Sequence, residues 1–94
     1  MAIGVIWKPP IDAATYDAIK ERVMQAAIDR GSRFHAAGES PSGWRIIEIW
    51  DSREGLDAFM RESLDPAVQE VSGGQAPPME EPEVFEVYFE ATAP

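Results

Sequence analysis

The chain alternates short apolar runs with two longer stretches of helical spacing, and that pattern predicts six elements. Ala2 to Trp7 is a β-favouring apolar run, stopped by Pro9-Pro10, which cannot continue a ladder. Asp12 then stands where a carboxylate caps a helix running to about Arg30. Tyr16, Ile19, Val23 and Ala27, with Met24 and Ile28 beside them, share one face of that helix, and Gly31 supplies the left-handed stop. Arg33 to Ala37 reads as a short strand. Gly38 to Gly43, GESPSG, reads as the turn into a clearer strand, Trp44 to Trp50.

Asp51 or Ser52 caps a second helix, with Glu54 three residues beyond Asp51 in a capping-box arrangement. Leu56, Phe59, Met60, Ser63 and Leu64 form its buried stripe. Pro66 ends or kinks it, with Asp65 placed to cap a short continuation through Val71. Residues 71–82, with two glycines, three prolines and two glutamates, read as an extended connection to a last strand, Glu83 to Glu90. The order is βαββαβ: a ferredoxin-like α+β fold, one four-stranded antiparallel sheet with both helices on one face, in a single domain over residues 1–94.

Strand alternation raises a question about the other face. With Ile47 and Ile49 assigned to the helix side, Trp44, Ile46, Glu48 and Trp50 face away. In the last strand Phe85, Val87 and Phe89 suit the helix side, leaving Val84, Glu86, Tyr88 and Glu90 opposite. Two tryptophans, an isoleucine, a valine and a tyrosine exceed the apolar patch a monomer usually shows to water. The economical cover is the same sheet from a second copy, so the sequence predicts a homodimer whose two sheets enclose an apolar pocket. A 94-residue chain without cysteine has a thin core and no disulfides, which adds to the case for partner burial.

The 17 acidic against 8 basic residues give a net charge of −9, a surface that repels phosphate backbones and anionic membranes. Apolar runs are strand-sized, and MAIGVIWKPP lacks the leading charges and cleavage site of a secretory signal. The expectation is a cytoplasmic protein that binds neither nucleic acid nor membrane.

The stretch GWRIIEIWDSREGLDAFMRESLDPAVQE, preceded by RFHAAGES, resembles the antibiotic-biosynthesis-monooxygenase-like group of the dimeric α+β barrel superfamily. The resemblance is carried by Gly43-Trp44-Arg45, Trp50-Asp51-Ser52, Phe59, Leu64-Asp65-Pro66-Ala67 and Phe34-His35 with Gly38. It implies a dimeric α+β barrel over nearly the whole chain. It leaves function open, since the superfamily holds quinol oxygenases, haem-degrading proteins, polyketide cyclases, isomerases and proteins without known activity. The cofactor-free oxygenases and haem-degrading relatives use an Asn and a Trp in the pocket, and this chain contains no asparagine.

Three residues are candidates for chemistry. If the turn brings Ala37 opposite Trp44, His35 lies opposite Ile46 and diagonal to Glu48, which puts an imidazole and a carboxylate inside the barrel. Imidazole can abstract or relay a proton near neutral pH, and a carboxylate can orient it. Tyr88 would donate to a developing enolate. Trp44, Ile46, Trp50 and Phe59 are candidate ligand contacts. Structural readings stand beside these: a satisfied structural histidine, a Glu48 ion pair with Arg33 or Arg45, and tryptophans that pack between sheets. One histidine with scattered glutamates is a poor metal signature, and the expected chemistry needs no metal or cofactor. The expected partners are a second copy of the chain and a small apolar or aromatic molecule. Cofactor-free monooxygenation, acid–base cyclisation or isomerisation, and a non-catalytic dimer all remain open.

Overall fold

The computed structural model describes residues 1–76 and 80–93. Its elements run β1 (Ile3–Trp7), α1 (Ala13–Asp29), β2 (Ser32–Ser40), β3 (Gly43–Trp50), α2 (Arg53–Phe59), a π-helical segment (Met60–Leu64), α3 (Asp65–Ser72) and β4 (Glu83–Glu86). The strands form one antiparallel sheet in the order β2-β3-β1-β4. This is the predicted ferredoxin-like arrangement.

Local chemistry accounts for the boundaries. Asp12 caps α1 by accepting from the Thr15 N–H at 2.8 Å. At α2 the cap is Ser52, whose Oγ accepts from the Gly55 N–H at 3.1 Å, and not Asp51. Asp65 makes no cap bond. The backbone at Met60 and Asp65 stays right-handed, so α2 runs through the π turn into α3 without a break. Pro66 sits in the first turn of α3, where its missing N–H costs least. That helix extends to Ser72 and stops at left-handed Gly73, so the connection to β4 is shorter than predicted. Pro77, Pro78 and Met79 of that connection lie outside the described residues. β4 is also shorter: past Glu86 only the Val87 N–H to Ala2 carbonyl bond, 3.0 Å, continues the edge.

Two predictions about the sheet are corrected. The β2–β3 turn is tighter than expected, with Pro41 and Ser42 at its tip and Ser40 paired with Gly43. The pairing therefore slips by two residues: Ala37 faces Ile46, and His35 faces Glu48 directly. The strand faces are also reversed. Ile3, Val5, Trp7, Glu48 and Trp50 are buried together with Val23, Ala27, Leu56, Phe59 and Ala67 from the helical layer, so the tryptophan-bearing face of β3 is the helix side. Ile47, Phe34 and Phe85, each about half exposed, lie on the open face instead. Gly4 explains part of this phase. A side chain there would collide with the Phe85 ring, which lies flat across the open face opposite it.

The core is thus a tryptophan-rich layer between sheet and helices. Trp50 is fully buried, with its ring tilted against Phe59 at 5.2 Å between centroids. The open face is apolar as well, through different residues than predicted.

Candidate functional site

An indole N–H that leaves water must find an acceptor, and two meet here. Glu48, buried in the middle of β3, accepts on Oε1 from Trp7 Nε1 at 2.8 Å and from Trp50 Nε1 at 3.2 Å. Trp50 is two residues along the same strand face, and Trp7 reaches across from the neighbouring β1. The second oxygen, Oε2, lies 2.8 Å from His35 Nδ1. Three donors on one carboxylate, two indoles and an imidazole, compensate its burial without an arginine or lysine. Arg33 and Arg45, the partners expected under the ion-pair reading, are engaged elsewhere. Arg33 reaches Asp51 at 3.5 Å and Glu90 at 3.2 Å, and Arg45 ties down the β2–β3 turn.

The other imidazole nitrogen extends the chain. His35 Nε2 lies 2.5 Å from the Tyr16 hydroxyl, on the face of α1 that packs over β2. A carboxylate only accepts, so Nδ1 carries a proton, and in the neutral ring Nε2 accepts from the Tyr16 O–H. Burial pushes the Tyr16 phenol above its ordinary 10.0, and the negative charges of Glu48 and Asp17 push it the same way. Tyr16 therefore remains a phenol at neutral pH. The result is one continuous line: Tyr16 hydroxyl, His35 imidazole, Glu48 carboxylate, two indoles. Trp44 flanks its outer end, 5.2 Å from the Tyr16 ring.

Solved structures share this architecture. Over 97% of both chains, this chain superposes on Rv0793 from Mycobacterium tuberculosis with a TM-score of 0.62 at 20% identity. A Chloroflexus aurantiacus J-10-fl protein, provisionally named an antibiotic biosynthesis monooxygenase, matches over 98% of both chains with a TM-score of 0.60 at 21% identity. A Nitrosomonas europaea protein with the same provisional name matches over 97% of this chain and 93% of its own, with a TM-score of 0.57 at 12% identity. The chain has the antibiotic-biosynthesis-monooxygenase-like fold. No family model and no curated protein matches it by sequence. At these identities the fold is what is shared.

On this fold the expected site residues fall into two groups. His35 and Glu48 come together, as direct cross-strand neighbours on the helix side and not in a sheet-to-sheet interior. Trp50 and Phe59 are core residues packed ring against tilted ring, Ile46 packs against that core, and Trp44 lies beside Tyr16. Tyr88 stands fully in solvent past the end of β4 and touches none of them. The residues missing from the sequence reading are Tyr16 and Trp7. A usable signal for Trp7 existed: three tryptophans in one small domain need acceptors, and an acid two residues from Trp50 on one strand face supplies one.

A cleft of about 400 Å³ opens on the helix side, lined by Trp7, Met60, Asp65, Gln69 and Glu80 to Pro82. It meets the network through Trp7, and neither His35 nor Glu48 lines it. Among the described residues, no three His, Cys, Asp or Glu side chains converge as metal ligands. No helix among them is long and apolar enough to cross a membrane.

Proposed function

We propose that the chain is a homodimeric α+β barrel protein that binds a small apolar, aromatic molecule between its sheet and helices. It moves a proton on that molecule without a cofactor, in an acid–base cyclisation or isomerisation. The observation carrying this reading is the unbroken line Tyr16–His35–Glu48, with contacts of 2.5 and 2.8 Å. A proton taken by the Tyr16 oxygen is matched by one passed from Tyr16 to His35 Nε2, and the imidazolium so formed faces a carboxylate already held by two indoles. Positioned proton transfer of this kind contributes roughly 10²–10⁴-fold in rate. The partly exposed Tyr16 and His35 are the end that meets substrate, and Glu48 orients the imidazole.

The names of the fold neighbours favour a second reading, cofactor-free monooxygenation, which would begin with the same deprotonation. Hydrogen–deuterium exchange at the α-carbons of 2-tetralone, followed by NMR, tests the first. Exchange should run roughly 100-fold or more above buffer, and His35→Ala should abolish the excess while leaving the dimer intact. Exchange no faster than in buffer removes the proposal. His35-dependent oxygen uptake with a dihydroxyanthracene would support the second reading instead.

A further inference from the structure

Among the described residues, one buried side-chain polar atom lacks a hydrogen-bond partner: Nε1 of Trp44. The other two indoles of the chain both donate to Glu48. An N–H shut from water without an acceptor loses its hydration with nothing in return, so a fold that satisfies two indoles and strands the third calls for a reason. Its position supplies one. The Trp44 ring lies 5.2 Å from the Tyr16 ring, tilted by 42°, and the Tyr16 hydroxyl is the outer end of the proton line. Trp44 follows Gly43 at the start of β3 and faces Glu39 across the hairpin, on the same sheet face as Glu48. An unused donor therefore sits one ring away from the group that would take the proton.

We infer that the Trp44 indole N–H is the site's oxygen-binding donor, and that the substrate is a molecule carrying a carbonyl or phenolic oxygen next to the carbon or oxygen that loses the proton. The inference rests on the acid–base reading above and names its substrate class. With a ketone, the α C–H bond breaks and its proton goes to the Tyr16 oxygen, as the proton of Tyr16 passes to His35 Nε2. The C–H electron pair forms the C=C bond, and the carbonyl π pair moves onto oxygen. That oxygen, now an enolate, is held by the Trp44 N–H. A neutral donor placed where the charge develops stabilises the enolate more than the ketone, which is the requirement for lowering the barrier.

The three indole N–H resonances of the ¹⁵N-labelled protein provide the test. Glu48→Gln should move the two from Trp7 and Trp50 and leave that of Trp44 in place, which assigns it independently of Trp44→Phe. Saturating 2-tetralone should then move the Trp44 resonance downfield, and the oxygen-free hydrocarbon tetralin should not. Trp44→Phe keeps an aromatic ring and removes the donor. It should weaken tetralone binding about tenfold while leaving tetralin binding unchanged. An unmoved Trp44 resonance at saturation, or equal shifts with ketone and hydrocarbon, overturns the inference. The two proposals fail separately. His35-dependent exchange with a silent Trp44 removes only the donor, and a responsive Trp44 without exchange removes only the acid–base reading.

Discussion

Glu48 concentrates the chemistry of the molecule on one side chain. It holds two indole N–H groups and one imidazole N–H, so truncating it leaves two buried donors and one partly buried donor unpaired. Glu48→Ala is expected to cost about 3–5 kcal/mol in urea unfolding, the range for removing one partner of a buried charged network. Glu48→Gln keeps an acceptor oxygen and should cost less. Equal losses would mean that the carboxylate fills volume only. Tyr16 carries the pH dependence. Its phenol is raised in the fold, chiefly by burial, so above the unfolded value of 10.0 the unfolded chain has released a proton that the native chain keeps. Stability contributed by this group is fully present below pH 10 and is lost as pH rises through the higher folded value. Thermal unfolding of the wild type should therefore fall more steeply above pH 10 than that of Tyr16→Phe. Parallel curves would place the titration elsewhere.

Between elements, the tightest constraint is where the start of α2 meets the end of α1. A Cβ on Gly55 would run into the carbonyl oxygen of Arg30, a backbone atom that cannot swing aside. Helix propensity alone favours Ala over Gly by about 1 kcal/mol, so the two effects have opposite signs. The contact decides, since overpacking typically costs about 1–3 kcal/mol. Gly55→Ala is expected to lower the urea midpoint, and a raised midpoint would show that α2 slides freely. Caps and stops of this kind are legible one by one, because each depends on a residue and its near neighbours: Asp12 and Gly31 behave as their chemistry dictates, whereas Pro66 neither ends nor breaks the helical run and sits in the first turn of α3. The hairpin was harder. Propensity marks Arg33 to Ala37 as a strand, and pairing adds Ser32 before it and Gly38, Glu39 and Ser40 after it. Cross-strand hydrogen bonds, and not local propensity, hold that end of β2.

At the scale of the whole chain, the sequence carried the amplitude of the hydrophobic pattern but not its phase. β3 is apolar at Trp44, Ile46 and Trp50 on one face and at Ile47 and Ile49 on the other, so alternation shows that both faces are apolar without showing which one the helices cover. The phase is set by long-range fits such as Phe85 over Gly4 and two indoles around Glu48. For the same reason His35 and Glu48 could be paired from adjacent strands, and Tyr16 could not be added from a helix of unknown rotation. The argument for a second copy survives the reversal, because Phe34, Ile47 and Phe85 now leave about half their surface open beside Ile6 and Ile49. Clusters of that kind seldom stay wet on a monomer. Ile28, 54% exposed on α1, is apolar and open too, but it lies on the helical layer and serves as the control. In sedimentation equilibrium at micromolar concentration the wild type should run at twice its 10.4 kDa chain mass. Ile47→Lys places a charge in the middle of the covered face and should yield the single-chain mass, and Ile28→Lys should leave the dimer intact. A wild type that sediments as one folded chain, or a dimer broken by Ile28→Lys and not by Ile47→Lys, would move the interface off the open sheet.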